Sequence, residues 1–380
     1  MRAFFILMLL IGAWPARAAT PSYQAQAPIA YLTDKDSGIV LLERAADKRI
    51  PTASMAKLMT AYVAFEAVKS GQVELETAVT VKPSTWARWN NRGSSMFLKA
   101  GQKATISDLL HGVLTLSGND ASVVLAEGIA GSEAAFIDEM NKTAKRLGMV
   151  NSHFATVNGW PDRNRTYSTA EDLSILARHI LDDHPDMFAR YFNRRSFRWN
   201  GITQINRNPL LGAVDGADGM KTGHSSAAGY CLVGTAKRGE RRLIMVIAGL
   251  PSMEDRVQEA RGLMHWGFEN WQERPVFAAG QEVARIPVQL GTEDDVAAII
   301  PHQVSLLGLR GKIANAKLIV RYHGPIKAPF KKGDRVGALS IHYPDGLTRT
   351  FPLVAAKEIP AAGFVERAWN GFRGLWSKIA

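Results

Sequence analysis

Three short stretches hold the residues of this 380-residue chain that can do covalent chemistry, in the order Ser54-Met-Ala-Lys57, Ser117-Gly-Asn119 and Lys221-Thr-Gly-His224. A serine hydroxyl is a poor nucleophile until a neighbouring base takes its proton. A lysine amine can be that base when burial and a second cation lower its pKa. Ser54 and Lys57 stand three residues apart, a spacing that puts both on one helical face within hydrogen-bonding reach. Ser117 and Asn119 bring a hydroxyl and a carboxamide to one turn. Lys221 adds positive charge, Thr222 a hydroxyl, and Gly223 a strand position where a ligand backbone can lie close. Each motif alone also reads as ordinary structure: a helix start, a Ser-Gly-Asn turn and a strand start. Their weight lies in their occurring together.

The elements that must position these groups follow from local pattern. Met55, Leu58, Met59, Tyr62, Val63 and Phe65 recur at helical intervals and predict a helix with one core face. Pro51 discourages helix before Thr52, so Ser54 falls on the first turn, where backbone N–H groups lack partners and negative charge is favoured. Ahead of it, residues 27–42 read as two strands around the turn Asp34–Gly38. Residues 79–104 read as a polar loop in which Trp86, Arg88, Trp89 and Arg92 either border a cleft or pack under the loop. Thr105 to Asp108 caps a helix that stops near Ser117–Asp120, and further helices follow over 122–129 and 132–147. Ser168–Glu171 has the form of a capping box before a helix over 173–181. Lys221-Thr-Gly lies on a strand pairing with a hairpin over 229–250. A helix over 254–271 turns Val257, Ala260, Leu263, Met264, Trp266 and Phe268 inward.

Met1-Arg2, the apolar run to Trp14 and Ala16-Arg17-Ala18 match a secretory signal peptide, predicting a mature chain from Ala19. Cys231 is the single cysteine, so an intramolecular disulfide is excluded, and the scattered histidines lack metal-ligand spacing. The net charge of +11 suits anionic partners such as a membrane surface or an acidic substrate, while nucleic acid fits an exported chain poorly. Beyond Glu273-Arg274-Pro275, short β-type runs over 283–290, 317–322, 336–342 and 348–354, with a turn at Pro344-Asp345-Gly346, predict a small all-β domain. The last eighteen residues place Phe364, Val365, Ala368, Trp369, Phe372, Leu375, Trp376 and Ile379 on one helical stripe opposite Arg367, Arg373 and Lys378. That is the pattern of an amphipathic helix lying on a membrane surface.

Taken together, the three motifs resemble the S-x-x-K, S-D-N and K-T-G set of penicillin-binding proteins and class A β-lactamases, with Gly118 in place of the Asp. Over nearly its whole length the chain resembles the low-molecular-mass penicillin-binding proteins, serine-type D-alanyl-D-alanine carboxypeptidases of the penicillin-binding protein 5 group. The resemblance implies an α/β (α+β) fold. Residues 19–274 would form a β-lactamase/transpeptidase-like catalytic domain with an antiparallel sheet flanked by helices. The small β domain would span 275–362 and the membrane-anchoring helix 363–380. It further implies that Ser54 attacks the terminal D-Ala-D-Ala bond of a peptidoglycan pentapeptide while Lys57 takes its proton. Ser117 would relay a proton to the leaving D-alanine, and Asn119 would hold a substrate amide and help position Lys57. Lys221 would lower the Lys57 pKa and, with Thr222, receive the substrate carboxylate. The backbone N–H groups of Ser54 and His224 would form the oxyanion hole beside Gly223. Arg207 and Arg256 are further candidates for that carboxylate. No cofactor is implied. β-Lactam antibiotics are expected ligands, and the expected location is the periplasmic face of the inner membrane. Gly118 stands where class A β-lactamases have Asp, which resembles the carboxypeptidase branch. A D,D-endopeptidase or β-lactamase would keep the same motifs, whereas a non-catalytic envelope scaffold would lose motif residues.

Overall fold

Leu243 to Ala248 is an apolar run without polar alternation, as expected of a strand covered on both faces. In the computed structural model, which describes residues 23–309, 316–343 and 348–363, this run is central to a five-stranded antiparallel sheet. Its strands are β1 (Ile29–Asp34), β2 (Val40–Arg44), β3 (Ala217–Ser225), β4 (Gly229–Arg238) and β5 (Arg241–Leu250), in the order β2-β1-β5-β4-β3. Eight α-helices accompany it: α1 (Lys57–Lys69), α2 (Pro83–Trp89), α3 (Ile106–Leu114), α4 (Asn119–Ala130), α5 (Glu133–Arg146), α6 (Ala170–Asp183), α7 (Pro185–Tyr191) and α8 (Met253–Asn270). Ile244, Val246 and Ala248 join the main core with α1 and α3 to α6. Leu243, on the other face of β5, lies with Leu32 under Gly267 of α8. The sheet is therefore a filling between helices.

Several local expectations need correction. Helix α1 has no solvent face over its first turns: Lys57 through Phe65 are all buried. Its polar members are tolerated inside because they find partners, Thr60 donating to the Val157 carbonyl and Lys57 to the groups described below. The stretch 79–104 is not all loop. It contains α2, started by Pro83, and a two-strand pairing of Ala78–Thr80 with Lys103–Thr105. The capping box of α3 forms as read, Thr105 and Asp108 bonding reciprocally, whereas α6 is capped by Thr169 through Asp172 N rather than by Ser168. In α8, Arg256 and Glu259 are buried in place of Val257, Trp266 and Phe268. Glu259 earns its interior position by accepting bonds from the backbone N–H groups of Gln26 and Ala27. Ser196–Trp199 and Ile202–Ile205 form a hairpin across Asn200-Gly201.

The chain divides into two compact units, the first ending at Glu269 and the second starting at Asn270. The junction precedes the expected 274/275 boundary because Trp271–Phe277 is a strand, pairing with Val304–Leu309. The second unit also contains a six-stranded sheet around a core that includes Ile286, Val296, Leu318, Leu339, Ile341 and Leu353. The expected signal peptide, the terminal amphipathic helix and the Pro344–Gly346 turn lie outside the described residues. Among the described residues no helix is long and apolar enough to cross a membrane.

Candidate active site

Ser54 sits in a single 3-10 turn, Ala53–Ala56, immediately before α1. Ala53 enters that turn at φ 44, a left-handed conformation that alanine adopts only under constraint from its surroundings. The constraint comes from two neighbours. One is Gly159, at φ +71, where an added Cβ would fall 1.7 Å from the Ala53 carbonyl oxygen. The other is strand β3: a Cβ on Gly223 would lie 3.1 Å from the Thr52 carbonyl and 3.2 Å from Met55 Cγ. Gly223 thus lets the strand backbone press against the serine turn.

Lys57, the first residue of α1, is fully buried and reaches three groups. Its Nζ lies 3.0 Å from Ser54 Oγ and donates to Asn119 Oδ1 at 2.9 Å and to the Asn158 carbonyl at 2.7 Å. Both carbonyls can only accept, so they fix two of the amine's protons. In the neutral amine the remaining lone pair then faces the serine hydroxyl. Burial holds the Lys57 pKa well below that of an ordinary lysine; the charge on Lys221 and, to a lesser extent, Arg207 push the same way, against an opposing pull from Asp120.

Asn119 opens α4 directly after the turn that ends the α3 region, and Ser117 in that turn is held at φ 62. Asn119 is oriented at both ends, its Nδ2 donating to the Arg92 carbonyl and its backbone N–H to the Ser94 carbonyl. Beside it the buried Asp120 carboxylate accepts from Ser95 Oγ and from the N–H groups of Met96 and Leu98. The loop over 92–98 and the Ser117–Asp120 turn are therefore one hydrogen-bonded body.

Strand β3 supplies the opposite wall. Lys221 and Gly223 share a face by the two-residue period of a strand, which directs the lysine to the side where the serine turn packs. Lys221 is buried, its pKa lowered to about 7 by desolvation first and then by Arg207 and Arg256. Thr222 is buried, and the exposed His224 stacks on Tyr230, its cross-strand partner, at 4.0 Å between ring centroids. Arg256 of α8 lies over the Tyr230 ring, and its Nε has no hydrogen-bond partner. Arg207 donates to Ser94 Oγ at 2.6 Å. Among the described residues Lys221, Arg207 and Arg256 are not ion-paired to a carboxylate, so this wall of the site is positively charged. Asn158, Gly159, Ser94 and Asp120 read in the sequence only as turn or loop residues, not as part of the site. Asn158 and Ser94 act largely through backbone carbonyls that carry no residue signature; the Asn158-Gly159 turn dipeptide was the one available signal.

Residues 15–252 match the family model for D-alanyl-D-alanine carboxypeptidases, and residues 271–361 match that of the C-terminal domain of penicillin-binding protein 5. The chain belongs to the D-alanyl-D-alanine carboxypeptidase family. D-alanyl-D-alanine carboxypeptidase DacA of Escherichia coli K12 is 37% identical over 338 residues, which cover 88% of this chain and 83% of that protein. The crystal structure of penicillin-binding protein 5 from Haemophilus influenzae superposes with a TM-score of 0.77 at 34% identity, covering 90% of this chain and all of that one. Penicillin-binding protein D2 of Listeria monocytogenes, in its ampicillin-bound form, matches with a TM-score of 0.59 at 31% identity over 66% of this chain and 100% of that one. This D-alanyl-D-alanine carboxypeptidase family enzyme therefore has the mixed helix–sheet fold that its motifs implied, followed by an all-β C-terminal domain.

Proposed function

We propose that the protein is a serine D,D-carboxypeptidase that removes the terminal D-alanine from peptidoglycan pentapeptide stems. The observation that carries this is the buried Lys57 amine, 3.0 Å from Ser54 Oγ, with a depressed pKa and no carboxylate among its hydrogen-bond partners. Neutral Lys57 takes the Ser54 proton as the hydroxyl oxygen attacks the D-Ala-D-Ala carbonyl. The backbone N–H groups of Ser54 and His224 hold the oxyanion. The substrate's terminal carboxylate meets Lys221, Thr222, Arg207 and Arg256; the partnerless Arg256 Nε supports that role. Ser117 passes the proton to the departing amine, Asn119 binds a substrate amide, and water resolves the acyl-enzyme.

The same chemistry acylates Ser54 with β-lactams. No carboxylate hydrogen-bonds to Ser54 or Lys57 among the described residues, which supports a long-lived penicilloyl-enzyme rather than a β-lactamase. Export, and peripheral attachment through residues 363–380 to the outer face of the inner membrane, rest on the sequence pattern at the two ends.

The test is D-alanine release from a pentapeptide ending in D-Ala-D-Ala, with fluorescent penicillin labelling, on the mature protein and Ser54→Ala. Both signals should vanish in the mutant. Labelling without release would indicate an endopeptidase or a silent penicillin-binding scaffold, and rapid steady-state hydrolysis of penicillin would indicate a β-lactamase.

A further inference from the structure

Next to Asn119 stands a group that the chemistry above does not use. Arg92 is exposed, yet its guanidinium lies over two indoles, 5.4 Å from the Trp160 ring centroid and 5.8 Å from that of Trp89. The two rings meet edge to face at 5.5 Å, and Trp89 is buried, so the platform under the arginine is anchored in the core. Stacking of this kind orders a long side chain before any ligand arrives. Arg88, one turn away, spends its charge on Glu133. Arg92 has no ion pair among the described residues.

The position of this platform is set by the reacting groups themselves. The Arg92 carbonyl accepts from Asn119 Nδ2 at 3.1 Å, and Asn119 Oδ1 is 2.9 Å from Lys57 Nζ. Trp160 N donates to Asn158 Oδ1, and the Asn158 carbonyl is the third partner of Lys57. A Cβ on Gly93 would meet Trp160 at 2.9 Å and Asn119 Nδ2 at 3.0 Å, so indole and carboxamide approach the same backbone atom. Lys221, Arg207 and Arg256 supply the cations for the carboxylate at the leaving end. Arg92 and Trp160 belong instead to the Asn119 and Asn158 side of the site.

On the carboxypeptidase reading, we infer that Arg92, stacked on Trp160 and Trp89, forms a subsite for a carboxylate carried by the acyl portion of the substrate peptide. It binds an anionic side chain upstream of the scissile bond while Trp160 covers the adjoining apolar chain. The enzyme then prefers anionic to amidated peptides, a selectivity separate from recognition of the D-Ala-D-Ala terminus.

The experiment uses two synthetic peptides ending in D-Ala-D-Ala that differ only in a glutamyl carboxylate against its glutaminyl amide on the acyl side. The readout is the ratio of their kcat/KM values for D-alanine release. Wild type should favour the carboxylate peptide by roughly threefold to tenfold, the size of a half-exposed charge-assisted contact. Arg92→Gln should bring the ratio to about one, and Trp160→Leu, which removes one ring of the platform, should lower it. The preference should weaken as salt rises. Release with no carboxylate preference in wild type, or a ratio unmoved in Arg92→Gln, would overturn the subsite and leave the carboxypeptidase standing. Release from neither peptide would overturn both.

Discussion

Replacing Gly159 by alanine tests whether the geometry of the serine turn rests on a single missing methyl. The added Cβ would sit 1.7 Å from the Ala53 carbonyl oxygen and 2.5 Å from its carbonyl carbon, where real contacts are essentially never under 3.0 Å. The loop and the serine turn must separate by about 1 Å or more for the methyl to fit. Neither side moves alone. Ala53 precedes Ser54, the proposed nucleophile, and the Asn158 carbonyl, joined directly to Gly159, holds Lys57 at 2.7 Å. Left-handed backbone at a non-glycine residue costs ~1–2 kcal/mol and overpacking a further ~1–3 kcal/mol, so destabilisation of about 2–5 kcal/mol is expected. A displacement of that size between nucleophile and base should slow acylation by roughly 10²-fold. The assays are the second-order rate of penicillin acylation and urea unfolding. Gly131→Ala serves as control, since Gly131 is also left-handed at φ +76 but an added Cβ there meets nothing within 4 Å. It should lose ~1–2 kcal/mol with acylation unchanged. A Gly159→Ala protein that acylates at the wild-type rate would refute the reasoning.

Asn119→Asp places a carboxylate 2.9 Å from Lys57 Nζ and favours the ammonium, raising the Lys57 pKa. The acid limb of acylation should move about one pH unit or more towards alkaline, with activity recovering as pH rises; an unmoved limb would remove Lys57 as the base. The Lys221 pKa of about 7 lies below the ordinary lysine value, so between pH 7 and 10.5 the unfolded chain binds more protons and stability rises with pH. The penalty is full below pH 7. Urea unfolding from pH 7 to 9 should show a slope of up to about 1.4 kcal/mol per pH unit from this group, lost in Lys221→Met; equal slopes in both proteins would contradict it. Deleting residues 363–380 should release the protein from membranes, and continued sedimentation with them would locate the anchor elsewhere.

The residues proposed to do the chemistry were legible because a nucleophile, a base and cations must be particular side chains at particular spacings. What supports them was legible only where a side chain does the supporting, as in the Thr105–Asp108 cap. The Asn158 and Ser94 carbonyls belong to every residue type, so no spacing announces them. Helix α1 reads as buried from its apolar spacing, but that Lys57 and Thr60 are internal too follows only once their partners are supplied by distant segments. The packing of Gly223 against the serine turn was not legible, since a sequence shows that a side chain is missing but not which neighbour fills the space. The strands Trp271–Phe277, Asp295–Ile299 and Val304–Leu309 were missed or left unassigned. Pro275 and charged Glu273 and Arg274 disguise the first of them.

The order of strands in the catalytic sheet also governs when the enzyme can come into being. β1 is flanked by β2 on one side and by β5 on the other, with Ile29 opposite Ala248 and Asp34 opposite Leu243. The first strand made must wait for a partner roughly 200 residues later, and closing so long a loop is entropically costly and slow. Lys221 and Gly223 lie in the same late segment, so an amino-terminal fragment that ends before β3 lacks part of the proposed acylating centre. On the proposed reading, covalent penicillin labelling reports completion of the first unit's sheet and serves as an all-or-none clock for that unit's maturation.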